Sequence, residues 1–141
     1  MKVLWMVNLA PPEASQLLGL PVVPYGGWLV DSSKRLSESK NVELTVAFPG
    51  RERATVRGAS MDYYQFPRIR ERYNKSDSYP NELALLLAEV EPDIVHIHGT
   101  EFAHALAMAN ACLATGVRFV VSIQGLLSLL HRHYIIGLPE I

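Results

Sequence analysis

The sequence predicts an α/β fold, a three-layer α/β/α sandwich built on a mostly parallel sheet. Three observations predict it. Short apolar runs recur at residues 3–9, 42–48, 61–66, 93–98 and 117–123, the pattern of strands covered on both faces. Helix-forming segments separate most of them, and right-handed crossovers then bring the strands parallel with helices on both sides. With 141 residues, 49% hydrophobic and 19% charged, the chain has room for one domain with one sizeable core. No internal repeat, low-complexity tract or linker divides it.

The N-terminal run is better read as a first strand than as a signal peptide. Asn8 and the Pro11-Pro12 pair end it early, and no small-residue cleavage site follows. No apolar run approaches the roughly 20 residues of a membrane span, so a cytoplasmic location is expected. Residues 10–25 contain Pro11, Pro12, Pro21 and Pro24, which argue against regular helix or central strand. Leu17, Leu18, Leu20, Val22 and Val23 make this long connector unusually apolar, as in lids and binding loops. Gly26-Gly27 then opens a helix over residues 28–39 with a sparse apolar stripe of Trp28, Leu29 and Leu36. The strand at 42–48 ends at Pro49-Gly50, residues 51–60 form a polar connector, and the strand at 61–66 stops at Pro67.

Arg68, Arg70, Arg72 and Lys75 form a local basic cluster. Two readings stand: a solvated face, or a patch for anionic lipid or a phosphorylated acceptor that would hold the protein at the inner face of the membrane. Asp77 or Ser78 caps the next helix, with Pro80 near its first turn. Leu83, Leu86, Leu87 and Val90 give it the i, i+3, i+4, i+7 stripe of a core-packed helix, and Pro92 stops it. After the strand at 93–98, Gly99-Thr100-Glu101 leads into an Ala-rich helix that ends before Gly116. The lone Cys112 lies in that helix as a small buried apolar residue. The strand at 117–123 is followed by Gln124-Gly125, and residues 126–141 are apolar but irregular, as expected of a domain cut before its boundary. The architecture these elements make is Rossmann-like.

In such sheets ligands bind beyond the carboxyl ends of the strands, near the reversal of strand order. That rule selects Asn8, Gly26, Gly27, His98, Gly99, Thr100, Glu101, Ser122, Gln124 and Gly125. Gly26-Gly27 is either a turn needing positive φ or a helix N-terminus that a phosphate can approach. No G-x-G-x-x-G or G-x-x-x-x-G-K-[ST] spacing is present, which argues against classical dinucleotide binding and P-loop hydrolysis. His96 and His98 share one face of a strand. His96, deeper in the strand, reads as a satisfied core residue, whereas His98 at the strand end can reach the cleft. Neither these two nor His104, His131 and His133 have the spacing of a metal cluster, so no metal is expected. Glu101, placed in the first turn of the next helix, either complements the helix dipole or accepts hydrogen bonds from sugar hydroxyls. Gln124 suits hydroxyl recognition. Thirteen basic against 14 acidic residues leave no global field for nucleic acid.

Taken together, residues 1–9, Gly26-Gly27, residues 93–99 (Asp-Ile-Val-His-Ile-His-Gly) and residues 120–125 (Val-Val-Ser-Ile-Gln-Gly) resemble the N-terminal domain of family-4-like glycosyltransferases over residues 1 to about 130. That resemblance implies a GT-B architecture, two Rossmann-like domains facing each other across a cleft. It implies transfer of a sugar from a nucleotide-sugar substrate to a glycan or glycolipid acceptor, with retention at the anomeric carbon and no cofactor or obligatory metal. Gly26 and Gly27 would approach the donor diphosphate. Asn8 and Glu101 would line the acceptor side, and His98 and Gln124 would stand in the catalytic positions. Many relatives carry a histidine where this chain has Gln124, which cannot act as a general base. The nucleotide-binding domain of the family lies C-terminal to this one and is missing from the 141 residues, so the isolated domain is expected to be inactive. The alternatives are a non-catalytic flavodoxin-like binding module and half of a nucleotide-sugar epimerase.

Overall fold

The computed structural model describes residues 1–23, 26–68 and 81–123. Its elements run β1 (Lys2–Met6), α1 (Pro12–Leu17), α2 (Gly27–Ser37), β2 (Glu43–Gly50), β3 (Ala54–Arg57), β4 (Asp62–Pro67), α3 (Asn81–Val90), β5 (Ile94–His98), α4 (Ala103–Thr115) and β6 (Phe119–Ser122). The strands form one sheet in the order β3-β4-β2-β1-β5-β6, parallel throughout except for the antiparallel edge strand β3. Without β3, the parallel strands in chain order read 3-2-1-4-5. That is the Rossmann order rather than the flavodoxin order 2-1-3-4-5, so the flavodoxin-like alternative is set aside.

The alternation of side chains along each strand divides the core between two faces. Leu4 and Met6 of β1 point to the α3/α4 side, where they join Tyr64, Phe66, Leu83, Leu86, Val95, Ile97 and Met108. Val3, Trp5 and Val7 point to the α1/α2 side with Ala14, Leu29, Val46, Phe48 and Tyr63. The expected stripe of α3 is buried at Leu83, Leu86 and Leu87, and Cys112 is buried on α4. Gly116 ends α4 in the left-handed conformation at φ 76°, as a helix C-terminus favours.

Three expectations are corrected. Residues 12–17 are helical despite the prolines, because Pro12 occupies the first helical turn, where no N–H is required. This short helix is tied down at Glu13, whose carboxylate accepts hydrogen bonds from the Ala59 amide (2.8 Å) and the Tyr63 hydroxyl (2.6 Å). Residues 54–57 are not plain connector but strand β3, which pairs with β4 across a tight turn closed by Gly58 N–H to Met61 C=O (2.9 Å). Four residues with only alternate ones half-buried leave too little apolar signal to be read as a strand. Glu101 precedes α4 rather than standing in its first turn, because Gly99 turns the chain at φ 91° and the helix starts at Ala103. The anticipated caps Asp77 and Ser78, and Pro80, lie outside the described residues, as does the segment 126–141. Among the described residues no helix is long and apolar enough to cross a membrane.

Candidate functional site

The order of the sheet reverses between β1 and β5, and two clefts open at the carboxyl ends of those strands. The first, about 360 Å³, lies on the α2 side and is lined by residues that include Asn8, Gly26, Trp28, His98 and Glu101. The second, about 700 Å³, lies on the α4 side and includes Asn8, Arg68, Thr100, Glu101 and His104. Asn8, Leu9, Glu101 and Phe102 line both, so one ridge separates the two clefts.

On the α2 side, Gly26 caps the helix in the left-handed region at φ 91°, and Gly27 is the first helical residue. No side chain caps this N-terminus. Among the described residues, a Cβ at either glycine would meet nothing within 4 Å, so no described side chain fills the space at the helix start. Leu29 N–H turns back to Gly26 C=O at 2.9 Å, and among the described residues no side chain meets the amides before it, as at an uncapped helix start. His98 ends β5 and is 5% exposed. Its ring packs edge-on to Trp5 (centroids 4.6 Å apart) and beneath Trp28 (5.4 Å). Burial, reinforced by the neighbouring His96, pushes its pKa down to about 4, so the ring is neutral at physiological pH. Its Nε2 has no hydrogen-bond partner among the described residues. His96 is half-buried with Nε2 2.5 Å from Ser122 Oγ, and burial lowers its pKa as well. It has the partner expected of a structural histidine.

On the α4 side, Asn8 stands just past the end of β1 with its Oδ1 2.8 Å from His104 Nε2. His104 lies in the first turn of α4, is 4% exposed, and stacks on Phe102 with centroids 5.4 Å apart and planes 7° from parallel. Burial, and then the charge of Arg68, pushes its pKa down to about 4. Glu101 reaches back over Gly99: a Cβ at Gly99 would lie 2.2 Å from Glu101 Oε2 and 3.0 Å from Asn8 Nδ2. The positive φ of 91° at Gly99 favours glycine there, and its missing Cβ leaves the space that carboxylate and amide border.

The structure thus brings Asn8, Gly26, Gly27, His98 and Glu101 to one rim. Gln124 and Gly125 lie outside the described residues, and so do Arg70, Arg72 and Lys75 of the basic cluster. Arg68, at the end of β4, faces the α4-side cleft. Sequence reasoning missed Trp28 as a cleft wall because it reads as part of a helix stripe, and missed Phe102 because it belongs to no motif. It missed His104 because its partner is 96 positions away and no spacing connects them. Among the described residues no group of three His, Cys, Asp or Glu side chains is placed to hold a metal ion.

Comparison with curated proteins and with solved structures finds no match. A family model does match: Glycosyltransferase Family 4, over residues 29–139. The matched segment covers more than three quarters of the chain and includes β5, α4, His98, Glu101 and His104, while Asn8 and Gly26 precede it. With a Rossmann-like sheet and open clefts at its switch point, the chain belongs to glycosyltransferase family 4.

Proposed function

We propose that this domain is the acceptor-side half of a GT-B transferase that moves a sugar from a nucleotide-sugar to a hydroxyl of a glycan or glycolipid, with retention of configuration. One observation carries the reading. The α2 N-terminus and the buried His98 share one cleft, and among the described residues nothing caps the former and nothing meets Nε2 of the latter.

Each part has a chemical use. Negative charge grows on the leaving diphosphate, and free amides at a helix N-terminus stabilise it without a metal ion. Gly26 and Gly27 admit the phosphate to that backbone. A neutral His98 offers one ring N–H and one lone pair, which suits hydrogen bonding to a sugar hydroxyl at the reacting centre. Trp28 walls the cleft with an apolar face, as sugar rings require. Asn8 and Glu101 extend from the shared ridge toward the acceptor. Gln124 belongs to the same proposal, holding a hydroxyl after β6. A second Rossmann-like domain of the complete protein would close the cleft and supply most of the donor affinity.

The complete protein, incubated with ¹³C-labelled nucleotide-sugars and a mixed pool of oligosaccharide and lipid-linked acceptors, tests this by NMR of the products. A new glycoside with the anomeric configuration of the donor supports the reading. An inverted glycoside removes retention, and an isomerised nucleotide-sugar without glycoside establishes the epimerase alternative instead.

A further inference from the structure

Asn8 has two functional ends, a carbonyl that accepts and an amide that donates. In this structure the carbonyl is already used, with Oδ1 2.8 Å from His104 Nε2. An acceptor oxygen there requires Nε2 to carry the hydrogen, so the neutral ring has its N–H at Nε2 and its lone pair at Nδ1. The ring has little freedom to do otherwise. Phe102 stacks on it, and Phe66 meets it edge-on at 5.6 Å. Burial and the nearby Arg68 keep it uncharged near neutrality. The helix N-terminus on which it sits also disfavours a cation.

The Asn8 amide is therefore left as a pure donor beside Gly99, and Asn8 itself lines both clefts. The Glu101 carboxylate, a pure acceptor when ionised, reaches the same spot. We propose that His104 is a positioning residue that locks Asn8 as a donor, so that Asn8 and Glu101 together recognise one hydroxyl of the acceptor. The hydroxyl oxygen accepts from Asn8 Nδ2 and its hydrogen is donated to Glu101. An alcohol satisfies both partners, whereas an ether or a deoxy position leaves one of them unmet. This assignment rests on the transferase reading for its ligand, but the His104–Asn8 lock does not.

Two measurements test it. The first is ¹⁵N NMR of the histidine ring nitrogens in this chain. The expected result is His104 as the Nε2–H tautomer with no titration between pH 5 and 8. An Nδ1–H tautomer, or titration near 6.5, overturns the lock whatever the enzyme does. The second is acceptor kinetics of the complete protein. Removing the hydrogen bond in His104→Leu is expected to raise the acceptor KM about tenfold and leave donor KM within about threefold. His104→Gln, whose side-chain amide can reach Asn8 as a donor, is expected to restore acceptor KM to within about threefold of wild type. Unchanged acceptor KM in His104→Leu, or equal losses in both variants, overturns the proposal. If His104→Leu does not fold, His104→Gln against Asn8→Asp carries the comparison, with a KM loss expected only in the latter and equal KM values overturning the proposal. A wild-type protein that transfers no sugar would sink the transferase reading, and the tautomer measurement would still decide the lock.

Discussion

His98 and His104 stand on opposite sides of one sheet and are buried to nearly the same degree, 5% and 4% exposed. Desolvation is the main cause holding each near a pKa of about 4. Their ring nitrogens nevertheless have opposite fates. His104 gives its Nε2 to Asn8, whereas among the described residues His98 Nε2 has no partner and lies beside an uncapped helix N-terminus. An unmet buried polar atom costs about 1–3 kcal/mol; Ser15 Oγ and Gln65 Oε1 are also unmet among the described residues, but of these three residues His98 alone lines the α2-side cleft. The contrast is between a ring nitrogen left unmet at a cleft and one that holds a neighbouring side chain, and burial or pKa alone would not have separated them.

The largest expected effect breaks that contrast at His98. His98→Ala is expected to lower kcat/KM of the complete enzyme about a hundredfold, the loss typical of one hydrogen-bonding group at a reacting centre. A change smaller than about threefold would return His98 to a packing role. The second effect treats the two residues as equals. Both have folded-state pKa values below the unfolded value of 6.5, so the unfolded chain takes up protons first. Their stability contribution is complete above pH 6.5 and is lost as pH falls toward 4, by up to about 1.4 kcal/mol per pH unit for each histidine. Urea unfolding between pH 4 and 8 measures the slope. His98→Gln and His104→Gln should each flatten it to a similar extent, and a slope unaffected by either would contradict their burial. The smallest effect lies at the helix start beside His98. Gly26→Ala forces a Cβ into the left-handed region and should cost about 1 kcal/mol. Gly27→Ala, in an ordinary helical position with open space, should instead stabilise by about 0.4–1 kcal/mol. Shifts of opposite sign in urea midpoint would confirm that only Gly26 is required by its backbone. Any loss of donor affinity in Gly27→Ala would then report close approach of the phosphate.

The five parallel strands were legible because burial on both faces writes each as a continuous apolar run, and α3 because its leucines fall on one stripe. The rim residues Asn8, Gly26, Gly27, His98 and Glu101 were legible by position, since a parallel sheet confines ligands to its carboxyl edge. What escaped had no periodic or local signal. Helix α1 hides behind Pro12, which is a breaker only away from the first turn. Strand β3 is four residues of an edge with one side in solvent. The His104–Asn8 contact exists only after β1 and α4 are packed together, and nothing along the chain anticipates it. The start of α4 was misplaced by two residues because Glu101 resembles a first-turn acid, whereas the chain spends those residues turning away from Gly99.

Strand β3 also bears on the order in which the molecule assembles. Among the described residues it makes the one strand pair in the sheet that is joined by a tight turn, while every parallel pair is connected through at least one intervening element. Hairpins close in about 1–10 μs, and parallel pairings must first overcome the entropy of closing a long loop. The β3–β4 hairpin can therefore form early and present β4 as a ready template to β2, from which the sheet grows inward toward β1. In that sequence the rim between β1 and β5, where both clefts open, is completed late.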